Sequence, residues 1–344
     1  MRSNSELLIS SDSHVIEPHD LWLERLPPSL RDQAPRYPQR AFQADKGGVN
    51  PATRVADMAA DGVSGEVLYP SLAVNQFGLA DAALQEACFR VYNDWMVEYC
   101  AHAPDRLFGL GLISTYRIDN AIEEIHRCKK AGMRGVIIWQ VPPEELSFAS
   151  RHYERLWATC QDLQMPVNMH ILTGMPYGPG MKNTDPDVTN YLNHAVNMKL
   201  LYVNKTLLQI ISSGVLERYP LLKIVLVENE VSWLPFVISQ WDRYYLKGKR
   251  KSQMTMLPSK YFKRQVYATF FDDPPIQLLF SGWGADNCMW SNDFPHENST
   301  WPKSREVIAR DLGHLPDATR AKLLHENVKQ LYQLPALTPV SVAA

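Results

Sequence analysis

The chain has few cysteines, and their positions suggest no covalent framework. Five cysteines are scattered over 344 residues, with no Cys-x-x-Cys spacing. An odd, scattered set argues against a disulfide-stabilised fold and a zinc ribbon, and it favours a reducing compartment. The sequence also lacks the apolar h-region of a signal peptide, and no apolar run approaches the length of a membrane span. We therefore expect a soluble cytoplasmic protein that does not act on a membrane.

An excess of charge of either sign is also missing. Lysine and arginine number 35 against 37 acidic residues, so the formal net charge is -2. This balance gives no electrostatic reason to expect nucleic acid as a partner. With 45% hydrophobic residues, the chain can bury a large core, and single α/β barrels reach this length. We predict one domain over residues 1–344, with its core from about residue 7 to 334.

Short β-rich segments alternate with longer helical patterns along the chain. The candidate strands are Leu7 to Ser10, Gly65 to Tyr69, Leu107 to Leu112, Gly135 to Trp139, Val167 to His170, Lys223 to Val227, Val266 to Thr269 and Cys288 to Ser291. Strands separated by helices indicate parallel βαβ units, and eight of them close most simply into a (β/α)8 TIM barrel. An open doubly wound sheet is the alternative. It is weakened because no Gly-x-Gly-x-x-Gly follows the first strand.

Two connections are longer than a barrel requires. The first runs from Glu17 to about Arg54 and contains six prolines; the second runs from Leu172 to about Asn193 and is rich in glycine and proline. Both follow strands that end in candidate ligands. Since the loops at the C-terminal face of a barrel build its active site, we interpret these insertions as walls or a lid of a substrate pocket. The alternative is a pair of surface insertions without function.

Residues of the types that bind metals follow four of the predicted strands. Asp12 and His14 follow the first strand two residues apart, a spacing that places both side chains on one face. His170 ends the fifth strand, Glu228 follows the sixth and Asp293 follows the eighth. Because the strand ends of a barrel converge, these five side chains should meet. Several buried carboxylates in one place need a cation, so the sequence predicts a divalent metal site.

Six segments carry motifs of a known family. They are Ser11 to Pro18 with Asp20-Leu21-Trp22, Val167 to His170, Ser213 to Pro220, Val227-Glu228 with Trp233-Leu234-Pro235, Ser291 to His296, and His325 to Tyr332. In order and spacing the chain resembles the amidohydrolase-related family typified by aminocarboxymuconate-semialdehyde decarboxylase and the dihydroxybenzoate decarboxylases, within the metal-dependent amidohydrolase superfamily. The resemblance covers about Leu7 to Leu334. It implies a (β/α)8 barrel, a metal site at the C-terminal strand ends and a homo-oligomer.

The resemblance also implies a role for each candidate residue. Asp12 stands where many members have the first histidine of a His-x-His pair, and His14 stands at the second. His170 matches the histidine ligand of strand five. Asp293 matches the aspartate of strand eight, which binds metal and can handle protons. Glu228 departs from the pattern, since it replaces the strand-six histidine that the decarboxylases use as an acid/base; here it is predicted to be a ligand, a bridge between ions or the acid/base itself.

Oxygen ligands dominate the candidate set. Carboxylates outnumber histidines by four to two if Glu17 is included with the five residues above, and such a set suits manganese or iron better than zinc. Further candidates are Glu17, His194 and His296, either as ligands or as supports for a ligand. If these also face the pocket, the ligands suffice for two ions. Glu17 has an alternative role, in which it only caps a turn.

Three classes of function remain open from the sequence. The leading one is a metal-dependent hydrolase or decarboxylase of a small organic carbonyl or carboxylate substrate, with Asp293 and Glu228 as catalytic groups. The second is an oxygen-dependent hydroxylase with a dinuclear iron or iron–manganese centre, an activity that the superfamily also contains. The third is a catalytically inactive partner subunit. The sequence does not identify the substrate.

Overall fold

Nine short strand segments form the centre of the protein, which we describe from a computed structural model covering residues 6–37, 47–174, 187–248 and 252–340. They are β1 (Ile9–Val15), β2 (Gly65–Pro70), β3 (Leu107–Gly109), β4 (Gly111–Leu112), β5 (Val136–Ile138), β6 (Val167–His170), β7 (Ile224–Val227), β8 (Val266–Phe270) and β9 (Cys288–Trp290). They pair in the orders β1-β2-β3 and β4 through β9, and every pairing is parallel. One residue separates β3 from β4, so together they make a single strand of the barrel.

The first and last strands close this arrangement. The Asp293 N–H donates to the Asp12 carbonyl oxygen at 3.1 Å, and the His14 N–H donates to the Phe294 carbonyl oxygen at 2.6 Å. The segment after β9 therefore runs beside β1. Eight parallel strands then surround one core, and the predicted (β/α)8 barrel is confirmed.

Helices surround the strands in the part of the chain that is described. They are α1 (Leu21–Arg25), α2 (Pro51–Asp61), α3 (Ala82–Cys100), α4 (Ile118–Lys130), α5 (Glu154–Asp162), α6 (Val188–Leu192), α7 (Lys199–Ser212), α8 (Val215–Arg218), α9 (Leu234–Lys247), α10 (Pro258–Gln265), α11 (Ile276–Leu279), α12 (Ser304–Leu312), α13 (Asp317–Ala321) and α14 (Asn327–Tyr332). Short π-helical segments, Asn193–Met198 and Lys322–Glu326, precede α7 and α14. None of the described helices is long and apolar enough to span a membrane.

The structure changes the boundaries of both predicted insertions. The first ends at Asn50 rather than Arg54, because the Asn50 side chain caps α2 and Pro51 occupies its first turn. This insertion also contains α1 and a 3-10 turn, Arg31–Gln33. The second ends where α6 begins, at Val188. Residues 38–46 of the first insertion and 175–186 of the second lie outside the described residues.

The last helix fixes the end of the barrel. The Asn327 side-chain amide donates to the carbonyl oxygens of Ala285 and Cys288, both at 2.8 Å. These bonds tie α14 to the strand that closes the barrel, and α14 ends at Tyr332.

Candidate metal centre

Five side chains from four strands converge at one point. The His14 Nε2 atom lies 3.5 Å from an Asp12 oxygen, 3.7 Å from a Glu228 oxygen and 3.5 Å from an Asp293 oxygen. The His170 Nε2 atom lies 3.2 Å from both the His14 Nε2 atom and a Glu228 oxygen. Asp12, His14, His170 and Glu228 form a group in which each residue offers one atom and these atoms all lie within 4.8 Å of one another, a size suited to a metal ion. Asp293 belongs to a second such group, which shares His14 and Glu228 with the first.

The two histidines are oriented as ligands. The Nδ1 atom of His14 lies 2.8 Å from the carbonyl oxygen of Pro70, and that of His170 lies 2.7 Å from the carbonyl oxygen of Ile171. A carbonyl oxygen only accepts, so each Nδ1 carries the proton and each Nε2 presents a lone pair to the cluster. Two acceptor nitrogens 3.2 Å apart need a positive charge between them. Backbone bonds of this kind also fix the ring orientation of metal-ligating histidines.

Asp12 gives the most direct test of whether these residues fit a cation. It is completely buried, and neither carboxylate oxygen has a hydrogen-bond partner within the described residues. Burying an unpaired carboxylate is costly, and a divalent cation removes that cost. Asp12, His14, His170, Glu228 and Asp293 therefore fit a divalent ion by both their chemistry and their geometry.

Charge coupling within the cluster is strong. Burial lowers the pKa of His14, but the nearby Asp12, Glu228 and Asp293 carboxylates outweigh it, and the net pKa lies well above the usual value. Burial raises the pKa of Glu228, while His14 and His170 bring it well below the usual value. Burial and the nearby Glu228 charge raise the pKa of Asp293 to about 8. A proton and a metal ion therefore compete for the same ligand atoms.

Two of the carboxylate residues, Glu228 and Asp293, have an unusual backbone conformation. Glu228 and Asp293 have φ angles of 58° and 54°, in the left-handed region that non-glycine residues seldom adopt. Each follows a buried strand, β7 or β9, so the chain turns sharply where the strand ends. Strained conformations of this kind are typical of functional sites.

The remaining candidates are placed differently. His296 lies beside the cluster, with its Nδ1 atom 2.8 Å from an Asp293 oxygen and its Nε2 atom 3.1 Å from the Ser71 hydroxyl. Burial and the charge of His14 lower the pKa of His296 to about 3. Together with His14, Glu228 and Asp293, it forms a second group of potential ligands that overlaps the first.

Glu17 and His194 do not join the cluster. The Glu17 carboxylate is buried and accepts the backbone N–H groups of Leu72 and Ala73, each at 2.9 Å, so it caps the turn after β2. His194 is exposed in the π-helical segment before α7. The prediction of these two residues as additional ligands is not supported by their positions.

One buried ion pair at the site was not predicted. Arg54 and Glu66 are both buried and paired through the Arg54 Nε atom. Arg54 also donates to the His14 carbonyl oxygen, and its guanidinium lies 5.3 Å from the centre of the Phe294 ring. The pair thus contacts both chain segments that carry ligand candidates at the barrel seam. Nothing in the sequence distinguishes Arg54 from a surface arginine of α2.

A parallel barrel with histidines and carboxylates at its C-terminal strand ends defines a class of metal-dependent enzymes. The sequence profile of the amidohydrolase family matches residues 17–334. The chain therefore belongs to the amidohydrolase family, as its motifs indicated.

Similar proteins of known activity are decarboxylases. The chain is 24% identical over 276 residues to gamma-resorcylate decarboxylase of Polaromonas sp. (strain JS666), covering 74% of this chain and 79% of the relative. It is 22% identical over 265 residues to the enzyme of the same name from Rhizobium sp. (strain MTP-10005), covering 70% and 75%. The predicted class, a metal-dependent enzyme of the amidohydrolase superfamily, is confirmed, and these relatives belong to its decarboxylating branch.

Solved structures show the same fold. A dihydroxybenzoic acid decarboxylase from Polaromonas sp. JS666, with bound manganese and the inhibitor 2-nitroresorcinol, superimposes with a TM-score of 0.71 at 20% identity, covering 96% of this chain and 97% of that one. A 5-carboxyvanillate decarboxylase from Novosphingobium aromaticivorans, also with manganese, gives a TM-score of 0.74 at 21% identity with coverage of 96% and 97%.

Proposed function

We propose that this protein binds a divalent ion through Asp12, His14, His170 and Asp293, with Glu228 as a further ligand or acid/base, and decarboxylates a small hydroxylated aromatic carboxylate. The observation that supports this most directly is the converging ligand set, in which both Asp12 oxygens are buried without a hydrogen-bond partner among the described residues. The decarboxylase relatives and the manganese in similar structures support the same conclusion.

Each candidate residue has its own role in the proposed decarboxylation. When bound, the ion supplies positive charge that holds and orients the substrate carboxylate. His14 and His170 present fixed Nε2 lone pairs, since their Nδ1 protons are held by backbone carbonyls. The bond between the ring carbon and the carboxylate carbon then breaks, and its electron pair stays on the ring. Asp293, at the turn after β9, delivers the proton that replaces carbon dioxide.

The test is a direct assay on the purified, manganese-loaded protein. A panel of hydroxybenzoates, including 2,6-dihydroxybenzoate, which a similar structure contains, should release carbon dioxide and the corresponding phenol. In deuterated water, one deuterium should enter the ring at the carbon that lost the carboxylate. A chelator should abolish the release, and added manganese should restore it. Hydrolysis of esters or amides without carbon dioxide release would overturn the decarboxylase proposal.

One observation favours a second candidate function. A second group of four potential ligands shares His14 and Glu228 with the group that contains Asp12 and His170, and it adds Asp293 and His296. Two ions at this point would suit the oxygen-dependent hydroxylase predicted as the alternative. Metal analysis and oxygen consumption separate the two. Two ions per chain including iron, with substrate-dependent oxygen uptake, would favour the hydroxylase.

Manganese is our choice of ion, because the ligand set is rich in oxygen and similar structures hold manganese. A homo-oligomer and a cytoplasmic location remain predictions from the sequence.

A further inference from the structure

Asn292 lies at the point where the barrel closes, directly before Asp293, and is 1% exposed. Its side-chain oxygen accepts three hydrogen bonds: from the Ser10 hydroxyl at 3.0 Å, from the Ser13 hydroxyl at 2.8 Å and from the Phe294 N–H at 3.2 Å. Its backbone N–H donates to the Ser10 hydroxyl at 3.0 Å. One side chain therefore joins the strand that carries Asp12 and His14 to the turn that carries Asp293.

Asp61, at the end of α2, lies on the same side of the barrel seam. Burial raises the pKa of Asp61, and the Asn292 side chain is among the groups that lower it. The Asp61 carboxylate accepts a hydrogen bond from the Ser304 N–H at 2.9 Å, and this bond attaches the end of α2 to the first residue of α12. The Phe294 backbone N–H can only donate, so the amide orientation is determined: the Asn292 oxygen faces Phe294 and the two serines.

The hydrogen bonds of Ser10 and Ser13 to Asn292 occur where β1 is irregular. Ser10 and Ser13 are three residues apart, and in a regular strand their side chains would point to opposite faces. The pairing of β1 with β2 shifts register between Ser10 and Ser13, around Asp12. Because of this irregularity both hydroxyls reach the same Asn292 oxygen, and Ser13 also donates to Ser10 at 2.9 Å. The network therefore holds the strand in the form that turns Asp12 towards His14.

We propose that Asn292 is a positioning residue, which sets the placement of Asp12 and His14 relative to Asp293 through the hydrogen bonds that it accepts from Ser10, Ser13 and the Phe294 N–H. It acts through these bonds and is not itself a ligand of the ion. This inference rests on the proposed metal site and concerns its geometry.

The test compares Asn292→Leu, similar in size but without hydrogen-bonding groups, with Asn287→Leu as a matched control. Asn287 is 4% exposed, and its amide donates to the Lys263 and Val266 carbonyl oxygens at the other end of β9. We expect Asn292→Leu to weaken manganese binding by about 10- to 100-fold, the usual effect of losing a residue that supports a ligand, and to alter the electron paramagnetic resonance spectrum of the bound manganese. Asn287→Leu should lower the unfolding temperature but leave manganese affinity within about threefold.

A further variant keeps the test decisive if Asn292→Leu does not fold. Ser13→Ala removes one donor to Asn292 and should weaken manganese binding by roughly threefold to tenfold in a folded protein.

The inference would be overturned if Asn292→Leu and Ser13→Ala kept the wild-type manganese affinity and an unchanged manganese spectrum. It would also be overturned if Asn287→Leu lost as much manganese affinity as Asn292→Leu. Failure of the wild type itself to bind manganese would instead overturn the proposed function, so the two outcomes are distinct.

Discussion

Manganese should stabilise the folded protein by an amount that depends on Asp12 and not on Glu17. Both carboxylates are completely buried and lie five positions apart, but only that of Asp12 faces the cluster. At a free manganese concentration about 1,000 times its dissociation constant, binding adds about 4.1 kcal/mol to the free energy of unfolding. With an unfolding entropy of about 2.1 cal/mol/K per residue, a chain of 344 residues should gain about 6 °C in unfolding temperature.

Asp12→Asn should lose most of this gain. Loss of a residue that only supports a ligand weakens metal binding by up to about 100-fold. After a loss of that size, manganese would still add about 1.4 kcal/mol to the free energy of unfolding and about 2 °C to the unfolding temperature. Loss of a ligand should leave less than that. Glu17→Gln should keep the full shift of about 6 °C, because Glu17 accepts backbone N–H groups outside the cluster.

The measurement is thermal unfolding by differential scanning calorimetry, with and without manganese, for the three proteins in parallel. The shift on adding manganese is the quantity compared, not the baseline of each variant. If Glu17→Gln loses the shift, or Asp12→Asn keeps it, then the assignment of the ion to this cluster is wrong.

Three further outcomes follow from the site and its surroundings. His170→Ala should remove bound metal and decarboxylase activity together while the circular dichroism spectrum stays that of a folded barrel; retention of either would count against His170 as a ligand. Arg54→Met should lower the free energy of unfolding by about 3–5 kcal/mol in urea titration, because it leaves the buried Glu66 charge unpaired, and Glu66→Gln combined with it should recover part of the loss. Burial raises the pKa of Glu17 above 4.5, so its contribution to stability is complete below pH 4.5 and declines as pH rises through the raised value. The difference in unfolding free energy between wild type and Glu17→Gln should therefore shrink with rising pH, and a difference that grows would contradict this sign.

The barrel could be predicted because its strands are nearly continuous apolar runs. The predicted and observed bounds of Val167–His170 coincide, and the other strands differ by a few residues at their ends. The largest error is in β1, which was predicted to stop at Ser10 but continues to Val15. Its second half, Ser11 to His14, is polar, so hydrophobicity alone gives no strand there. Those residues are buried only because they are hydrogen-bonded to the segment after β9 and line the candidate site.

The site was predictable to the level of residue type and strand end. Asp12, His14, His170, Glu228 and Asp293 meet because parallel strand ends converge. The sequence could not separate Glu17 from this set, since a carboxylate that caps a turn and one that faces a metal are identical in a sequence. The difference depends on the two backbone N–H groups of Leu72 and Ala73, which arrive from another strand. Arg54 and Asn292 were missed for the same reason: their roles depend on partners far away in the chain.

The hydrogen bond between Ser10 and Asn292 joins residues that are 282 positions apart. At a synthesis rate of about 5–20 residues per second, roughly 14–56 seconds separate the appearance of the two residues on the ribosome. During that interval the nascent chain holds Asp12 and His14 without the strand that completes the barrel, and β1 presents an open edge. Ion capture by all five candidate ligands must therefore follow the synthesis of Asp293. A chain that terminates before β9 would have neither a closed barrel nor a complete site, and its exposed strand edges would make it a substrate for chaperones and proteases.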